Sequence, residues 1–206
     1  MHIEFLLEEP SAEAALKHIL PKILGADVSF NFHVFEGKPD LLEKLLARLR
    51  GYRRWMPADW RIVVLVDEDR EDCRELKAKL EEAARDAGFV TKSSATPGGK
   101  FQVINRLAIE ELEAWFFGDI EALRSAYPKV SKTLGYRAKY RNPDAVVGGT
   151  HEALAYVLRR ASYYTERVPK IAVAQNIAPY MEPSRNRSRS FQMFVEGLKV
   201  YMKTVP

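Results

Sequence analysis

The feature that most constrains the fold is an uninterrupted apolar segment at residues 62–66, followed at once by Asp67-Glu68-Asp69. Consecutive valine, isoleucine and leucine side chains with no polar position are typical of a strand that is buried on both faces. Such strands occur in parallel sheets that carry helices on both sides. The segment therefore predicts the interior of an α/β sheet, and the acidic residues mark its carboxyl end.

Strand-like and helix-like segments alternate around this strand. Further strands are predicted from an apolar run or from apolar/polar alternation at residues 2–7, 27–35 and 101–109, with a short one at 89–92. Amphipathic helices are predicted at residues 11–24, from 39 onward, and at 71–87. Ser11 is expected to cap the first helix and Pro21 to kink or shorten its last turn. The alternation predicts a doubly wound, mostly parallel α/β domain over residues 1–118.

The pattern changes after Asp119. Loops at residues 127–150 precede predicted helices near 151–164, 169–177 and 190–202, which indicates a helical extension over residues 119–206, packed on the α/β domain. Residues 1–119 hold 17 basic and 22 acidic side chains, whereas residues 120–206 hold 15 and 6. Opposite charges of this kind indicate either an acidic site beside a polyanion-binding surface or two solvated faces that differ in sign.

Several classes of protein are excluded by simple patterns. No apolar run approaches the roughly 20 residues of a membrane span, and the first residues do not resemble a signal peptide. Cys73 is the only cysteine, and four scattered histidines give no zinc spacing. The sequence contains neither a Walker motif nor a serine elbow. We therefore expect a cytoplasmic, folded protein, of unknown oligomeric state, that does not associate with membranes.

Acidic residues follow two of the predicted strands. Glu8 comes directly after the first strand, and Asp67 and Asp69 come after the buried one. Because ligands bind at the carboxyl ends of parallel strands, adjacent strands would bring three carboxylates to one edge. Crowded carboxylates favour a hard cation, and Mg²⁺ or Mn²⁺ is the natural choice. The alternative is that these residues cap a helix, which we prefer for Asp69 taken alone.

A second acidic pair, Glu111 and Glu113, follows the strand predicted at residues 101–109. The pair can add oxygen ligands to the same edge of the sheet, as a two-metal site would require. It can equally form the acidic first turn of a helix whose remaining residues, including Trp115, belong to the core.

Basic residues alternate with polar or aromatic ones in two segments of the extension. The candidates for phosphate contacts with DNA or RNA are Arg137, Lys139, Arg141, Arg185, Arg187 and Arg189. Tyrosines such as Tyr136 and Tyr140 can stack on unpaired bases. The arginines can instead pair with acidic residues, and Ser188 or Ser190 can cap the last helix. Lys170 is either a cation that stabilises a transition state or an exposed lysine at a helix start.

Four segments together resemble a known fold family. FLLEEPS at residues 5–11 and VVLVDED at residues 63–69 resemble the Toprim (topoisomerase–primase) domain. IEELEAW at residues 109–115 and NRSRSF at residues 186–191 resemble a bacterial Toprim-like family related to overcoming-lysogenisation-defect nucleases and often encoded beside ABC-type ATPases. This resemblance implies metal-dependent phosphodiester cleavage of DNA or RNA, in defence or repair.

The resemblance also assigns residue roles. Glu8 matches the Toprim glutamate, a metal ligand or general acid/base, Asp67 and Asp69 match the metal-binding pair, and Glu113 lies in a matching segment. Two positions depart from the pattern: Glu9 stands where Toprim proteins usually have glycine, and Ala12 where related nucleases tend to carry an acid. These departures favour an alternative, a weakly active or inactive subunit that binds an ATPase or a nucleic acid. A third possibility is a domain that binds a phosphorylated small molecule.

Overall fold

The computed structural model describes the backbone of residues 1–204 and the side chains of residues 1–202. It contains one parallel sheet of four strands in the order β2-β1-β3-β4. The strands are β1 (His2–Leu7), β2 (Ser29–Val34), β3 (Trp60–Asp67) and β4 (Val103–Ala108). The predicted α/β class with a mostly parallel sheet is therefore confirmed, since every strand pair is parallel.

Helices connect the strands and form the C-terminal part of the chain. The first three are α1 (Pro10–Leu24), α2 (Lys38–Trp55) and α3 (Cys73–Asp86). After β4 follow α4 (Glu113–Gly118), α5 (Ile120–Ala126), α6 (Ala138–Arg141), α7 (Thr150–Arg160), α8 (Lys170–Ile177) and α9 (Arg189–Thr204). No helix of the described residues is long and apolar enough to cross a membrane.

Strand β3 is buried on both faces, as its unbroken apolar sequence predicts. Val63 and Leu65 belong to a hydrophobic cluster with α1 and the C-terminal helices. Ile62, Val64 and Val66 belong to the cluster formed with α2 and α3 on the opposite face. Helices therefore cover both sides of the sheet, which is the layering of a doubly wound fold.

The C-terminal helices pack on one side of this sheet. The ring of Trp115 in α4 lies 5.1 Å from those of Phe191 and Phe194 in α9. The hydroxyl of Tyr201 donates hydrogen bonds of 3.0 Å to the carbonyl oxygens of Ile62 and Gln102. Aromatic packing and these bonds hold α9 against the sheet, beside β4.

The start of α1 differs from the prediction. The helix begins at Pro10, and Glu9 precedes it without a capping hydrogen bond from its side chain. The hydroxyl of Ser11 donates to Glu9 and is not a cap. Pro21 lies inside the helix, which continues to Leu24 because a proline near the end removes only one backbone hydrogen bond.

The region around β4 also differs from the prediction. Only Thr91 forms a bridge in the segment at residues 89–92, and it pairs with Val103. Strand β4 is shorter than the predicted strand at residues 101–109, and α4 begins only at Glu113. Glu110 lies between the end of β4 and the start of α4. Its φ of 59° is incompatible with either a strand or a right-handed helix, so neither element extends through it.

Candidate functional site

The charges of Glu8 and Glu113 act on Asp67 at the carboxyl edge of the sheet, and we call Glu8, Asp67 and Glu113 the carboxylate cluster. Parallel pairing of β1 with β3 places Leu7 beside Leu65, so the two strands end side by side. The Oε2 atom of Glu8 accepts a hydrogen bond of 2.9 Å from the backbone N–H of Asp67. Asp67 and Glu113 are buried, with exposed fractions of 7% and 2%.

Burial disfavours the negative charges of two members of the cluster. Burial, together with the charges of Glu113 and Glu8, raises the pKa of Asp67 well above its ordinary value. Burial raises the pKa of Glu8 to about 7, although the N–H of Asp67 acts in the opposite direction. Such shifts mark groups whose negative charges are incompletely compensated.

Glu113 has one oxygen that is paired and one that is not. His151 Nδ1 lies 3.1 Å from Glu113 Oε1 and can donate a hydrogen bond to it. This hydrogen bond raises the pKa of His151. The other oxygen, Oε2, is buried and has no hydrogen-bond partner among the described residues. A buried carboxylate oxygen without a partner is costly, so it requires an explanation.

Lys170, at the start of α8, is a cation whose charge acts on Asp67. Its Nζ atom lies 3.4 Å from Glu9 Oε2 and 4.0 Å from Glu111 Oε1. Burial lowers the pKa of Lys170, but Glu113, Glu9, Asp67 and Glu111 outweigh that effect and raise it. Lys170 is therefore a half-buried member of the site and not an exposed helix-start lysine.

Asp69 forms an ion pair with a second lysine, Lys38. Its Oδ2 atom lies 3.0 Å from Nζ of Lys38, which also binds Glu71 at 2.9 Å. The interpretation of Asp69 as a helix cap is wrong, because Asp72 caps α3 by accepting from the N–H groups of Arg74 and Glu75. Asp69 still contributes to the raised pKa of Glu8.

Glu111 anchors a neighbouring helix. Its Oε2 atom accepts hydrogen bonds from the backbone N–H of His151, at 2.7 Å, and from the hydroxyl of Thr150, at 3.1 Å. These bonds hold the start of α7 against the segment that follows β4. As a result, the imidazole of His151 is presented to Glu113.

Sequence reasoning missed His151, Lys38 and the role of Glu9. The four histidines are scattered in the sequence, and 38 residues separate His151 from Glu113. The one local signal is the glycine pair before α7, since Gly148 and Gly149 both have positive φ values, 94° and 91°. Two such glycines indicate a tight turn that positions the residues after it.

The basic candidates lie outside the carboxylate cluster and differ in their surroundings. Arg185 is engaged by Asp119 and Glu121, at 2.9 and 3.0 Å. Arg189 is exposed and lies 3.7 Å from Glu196. The remaining candidates, all exposed and without a salt bridge among the described residues, are Arg137, Lys139, Arg141 and Arg187.

Two neighbours of these basic residues have structural roles. Tyr140 is buried and stacks on Phe117 with ring centroids 5.0 Å apart, so it is not available to a base. Ser188 caps α9, because its hydroxyl accepts a hydrogen bond of 3.1 Å from the N–H of Phe191. The capping prediction for Ser188 is confirmed by this bond.

The donor chemistry of the cluster fits a hard divalent cation in two respects. All three side chains offer carboxylate oxygens, which Mg²⁺ and Mn²⁺ prefer. Burial and the charges of Glu113 and Glu8 raise the pKa of Asp67, and a cation bound there would offset that effect by favouring the carboxylate. Within residues 1–202, however, no three acidic, histidine or cysteine side chains are grouped as a metal site.

Comparisons with known proteins place the chain in a family. A comparison with curated proteins gives no match. A comparison with solved structures gives none either. The model of a family described as a domain of unknown function (DUF4276) matches residues 7–199, from the end of β1 to the last helix. Because this match covers most of the sequence, the chain belongs to the DUF4276 family.

Proposed function

We propose that this protein hydrolyses phosphodiester bonds of DNA or RNA with Mg²⁺ or Mn²⁺ held by Glu8, Asp67 and Glu113. The observation that carries the proposal is the buried, unpartnered Oε2 atom of Glu113 in a cluster where the pKa of Asp67 is strongly raised. Groups with perturbed pKa values concentrate at functional sites. Asp69 would become a metal ligand only after breaking its ion pair with Lys38.

The residues of the cluster have distinct roles in this proposal. The bound cation supplies a nucleophilic water and positive charge at the phosphate. Glu8 would hold the cation as a carboxylate, because a side chain that binds a metal must be deprotonated. Lys170 offers a fixed positive charge that stabilises negative charge as it develops on the phosphate oxygens. His151 keeps the Glu113 carboxylate oriented through its hydrogen bond.

The biological setting belongs to the same proposal. The order of a strand ending at Glu8 and a strand ending at Asp67-Glu68-Asp69 supports a relationship to Toprim-like nucleases. In this view the protein is cytoplasmic, acts in defence or repair, and can cooperate with an ABC-type ATPase. The exposed side chains of Arg137, Lys139 and Arg141 would hold the nucleic-acid backbone through their charges.

A second candidate is a binding subunit with little or no activity. The observation that favours it is Lys170, whose ammonium group lies 3.4 and 4.0 Å from Glu9 and Glu111 and whose charge also acts on Asp67. A protein cation at this place makes a metal less necessary. Such a subunit would bind an ATPase or a nucleic acid through its basic C-terminal part.

The test is cleavage of labelled DNA and total tRNA in the presence of Mg²⁺, Mn²⁺ or EDTA. The wild type is compared with Asp67→Asn and Glu8→Gln, which keep side-chain size and remove charge. Asp86→Asn, at the exposed end of α3, and Glu82→Gln, on the exposed side of the same helix, are matched controls.

The proposal predicts cleavage that needs the metal, that is abolished by both cluster variants and that is kept by both controls. Cleavage that persists in the cluster variants would place the activity elsewhere or in a contaminant. If the wild type binds nucleic acid with a steep salt dependence but does not cut it under any condition, the binding-subunit candidate is favoured.

A further inference from the structure

A cavity of about 330 Å³ lies at the far end of α4 from Glu113. It is bounded by the start of α5, by the turn that contains Gly135 and by the extended segment that contains Arg187. None of the three members of the carboxylate cluster lines it. Its volume falls within the range of small-ligand pockets, about 300–1,000 Å³. The cavity is therefore a separate candidate site.

The lining carries an excess of positive charge. Its charged side chains are Asp119, Glu121, Arg124, Lys132, Arg185 and Arg187. Both acidic residues are engaged by Arg185, whose Nε and Nη1 atoms lie 2.9 and 3.0 Å from them. In the described part of the chain, no acidic side chain pairs with Arg124, Lys132 or Arg187. Four basic and two acidic side chains thus give the lining a net charge of +2, which favours an anion.

One of these cations, Arg187, is held in place by the fold. The backbone N–H of Arg187 donates a hydrogen bond of 2.9 Å to the carbonyl oxygen of Gly118. A Cβ atom at Gly135 would lie 2.9 Å from Nη2 of Arg187, so the missing side chain leaves room for this guanidinium. The Nε atom of Arg124 is buried and has no hydrogen-bond partner among the described residues. An anionic ligand in the cavity would give Arg187 the acceptor that no acidic side chain of the described residues provides.

An exposed aromatic ring borders the same cavity. Tyr136 has an exposed fraction of 78%, and it lines the cavity together with Arg187 and Lys132. Exposed aromatic rings beside cations are typical of sites where a base stacks and its phosphate is neutralised. A phosphate group alone would need the cations but not the ring.

We infer that this cavity binds a nucleotide, with Arg124, Lys132 and Arg187 on the phosphate and Tyr136 stacked on the base. The site goes beyond the proposed hydrolysis and does not depend on it. The nucleotide can be free or part of a single strand, because both present the same phosphate and base.

The inference is tested by calorimetric titration in EDTA, so that no strand is cut. The ligands are adenosine monophosphate, adenosine, inorganic phosphate and a short single-stranded oligonucleotide with a 5′-phosphate. The variants are Arg187→Gln, Lys132→Gln and Tyr136→Leu, all at exposed positions, with Arg54→Gln on α2 as a matched control.

Adenosine monophosphate should bind the wild type and Arg54→Gln equally. Arg187→Gln and Lys132→Gln should each weaken binding about tenfold, the usual effect of losing a hydrogen bond to a charged group. Tyr136→Leu should weaken nucleotide binding and leave binding of inorganic phosphate unchanged. Competition between the oligonucleotide and the nucleotide identifies a strand as the ligand, and its absence identifies the free nucleotide.

Two results would overturn the inference. The first is that neither the nucleotide nor the oligonucleotide binds the wild type, or that Arg187→Gln and Lys132→Gln bind them as tightly as the wild type does. The second is equal affinity for phosphate and nucleotide, which removes the role of Tyr136. A failure of the proposed hydrolysis is distinguishable from a failure of this inference. In the first case Asp67→Asn would not affect cleavage, but the nucleotide would still bind at this cavity.

Discussion

The Oε2 atom of Glu8 lies 2.9 Å from the backbone nitrogen of Asp67 and accepts its hydrogen bond. This bond joins the end of β3 to the residue that follows β1, and it fixes the Glu8 carboxyl group beside the Asp67 carboxyl group. The consequence is mutual repulsion, since the charge of Glu8 contributes to the raised pKa of Asp67. Crowding of this kind reduces stability and is characteristic of functional sites.

Removing one charge from the carboxylate cluster should stabilise the fold. In EDTA at neutral pH, we expect Asp67→Asn to raise Tm by about 2–4 °C, which corresponds to about 1 kcal/mol for a chain of this size. The physical reason is that Asp67 is buried and its charge is repelled by Glu113 and Glu8. Scanning calorimetry measures the change. A drop in Tm, or the same rise in Asp86→Asn, would show that the cluster is not strained.

Removing the internal cation should have the opposite effect. Lys170→Met is expected to lower Tm in EDTA, because Glu9 and Glu111 lose the ammonium group that lies 3.4 and 4.0 Å from them. Lys170→Arg keeps the charge and should retain most of the stability. Added Mn²⁺ should raise Tm more in Lys170→Met than in the wild type, because the carboxylates then lack a protein cation. Equal effects of Mn²⁺ in the two proteins would contradict this relationship.

The sheet and one edge of the site were predictable because local patterns determine them. The unbroken apolar run before Asp67 predicts a strand buried on both faces, and both faces of β3 are covered. The positions of Glu8 and Asp67 at strand ends follow directly. The FLLEEPS segment predicts that Ser11 caps α1, but the hydroxyl of Ser11 donates a hydrogen bond to the Glu9 carboxylate instead.

The rest of the site depends on contacts between distant segments. Lys170 reaches Glu9 across 161 residues, and no local pattern predicts how α8 lies against α1. His151 meets Glu113 only because Glu111 holds the start of α7. Asp69 has a positive φ of 51° and lies 3.0 Å from Lys38, and no local pattern predicts this ion pair.

The Asp119 carboxylate should be one of the main supports of the C-terminal part. It is 1% exposed and accepts hydrogen bonds from the N–H groups of Ala122 and Glu182 and from two nitrogens of Arg185. We expect Asp119→Ala to lower the free energy of unfolding by about 3–5 kcal/mol, because it leaves buried donors unpaired. Urea titration provides the measurement.

The control for this variant is Glu121→Gln. Glu121 also pairs with Arg185, but its side chain is 71% exposed. Its replacement should change the free energy of unfolding by less than about 0.5 kcal/mol. If both variants destabilise the protein equally, the buried position of Asp119 is not the source of the effect.

Calorimetric titration with Mn²⁺ tests most directly whether the carboxylate cluster holds a metal. The wild type should bind the ion, and Asp67→Asn and Glu113→Gln should each weaken binding by about tenfold or more, because each removes a charged oxygen ligand. Glu82→Gln should bind as the wild type does. If the wild type does not bind Mn²⁺, or if the cluster variants bind it as tightly as Glu82→Gln, the proposed metal site is wrong.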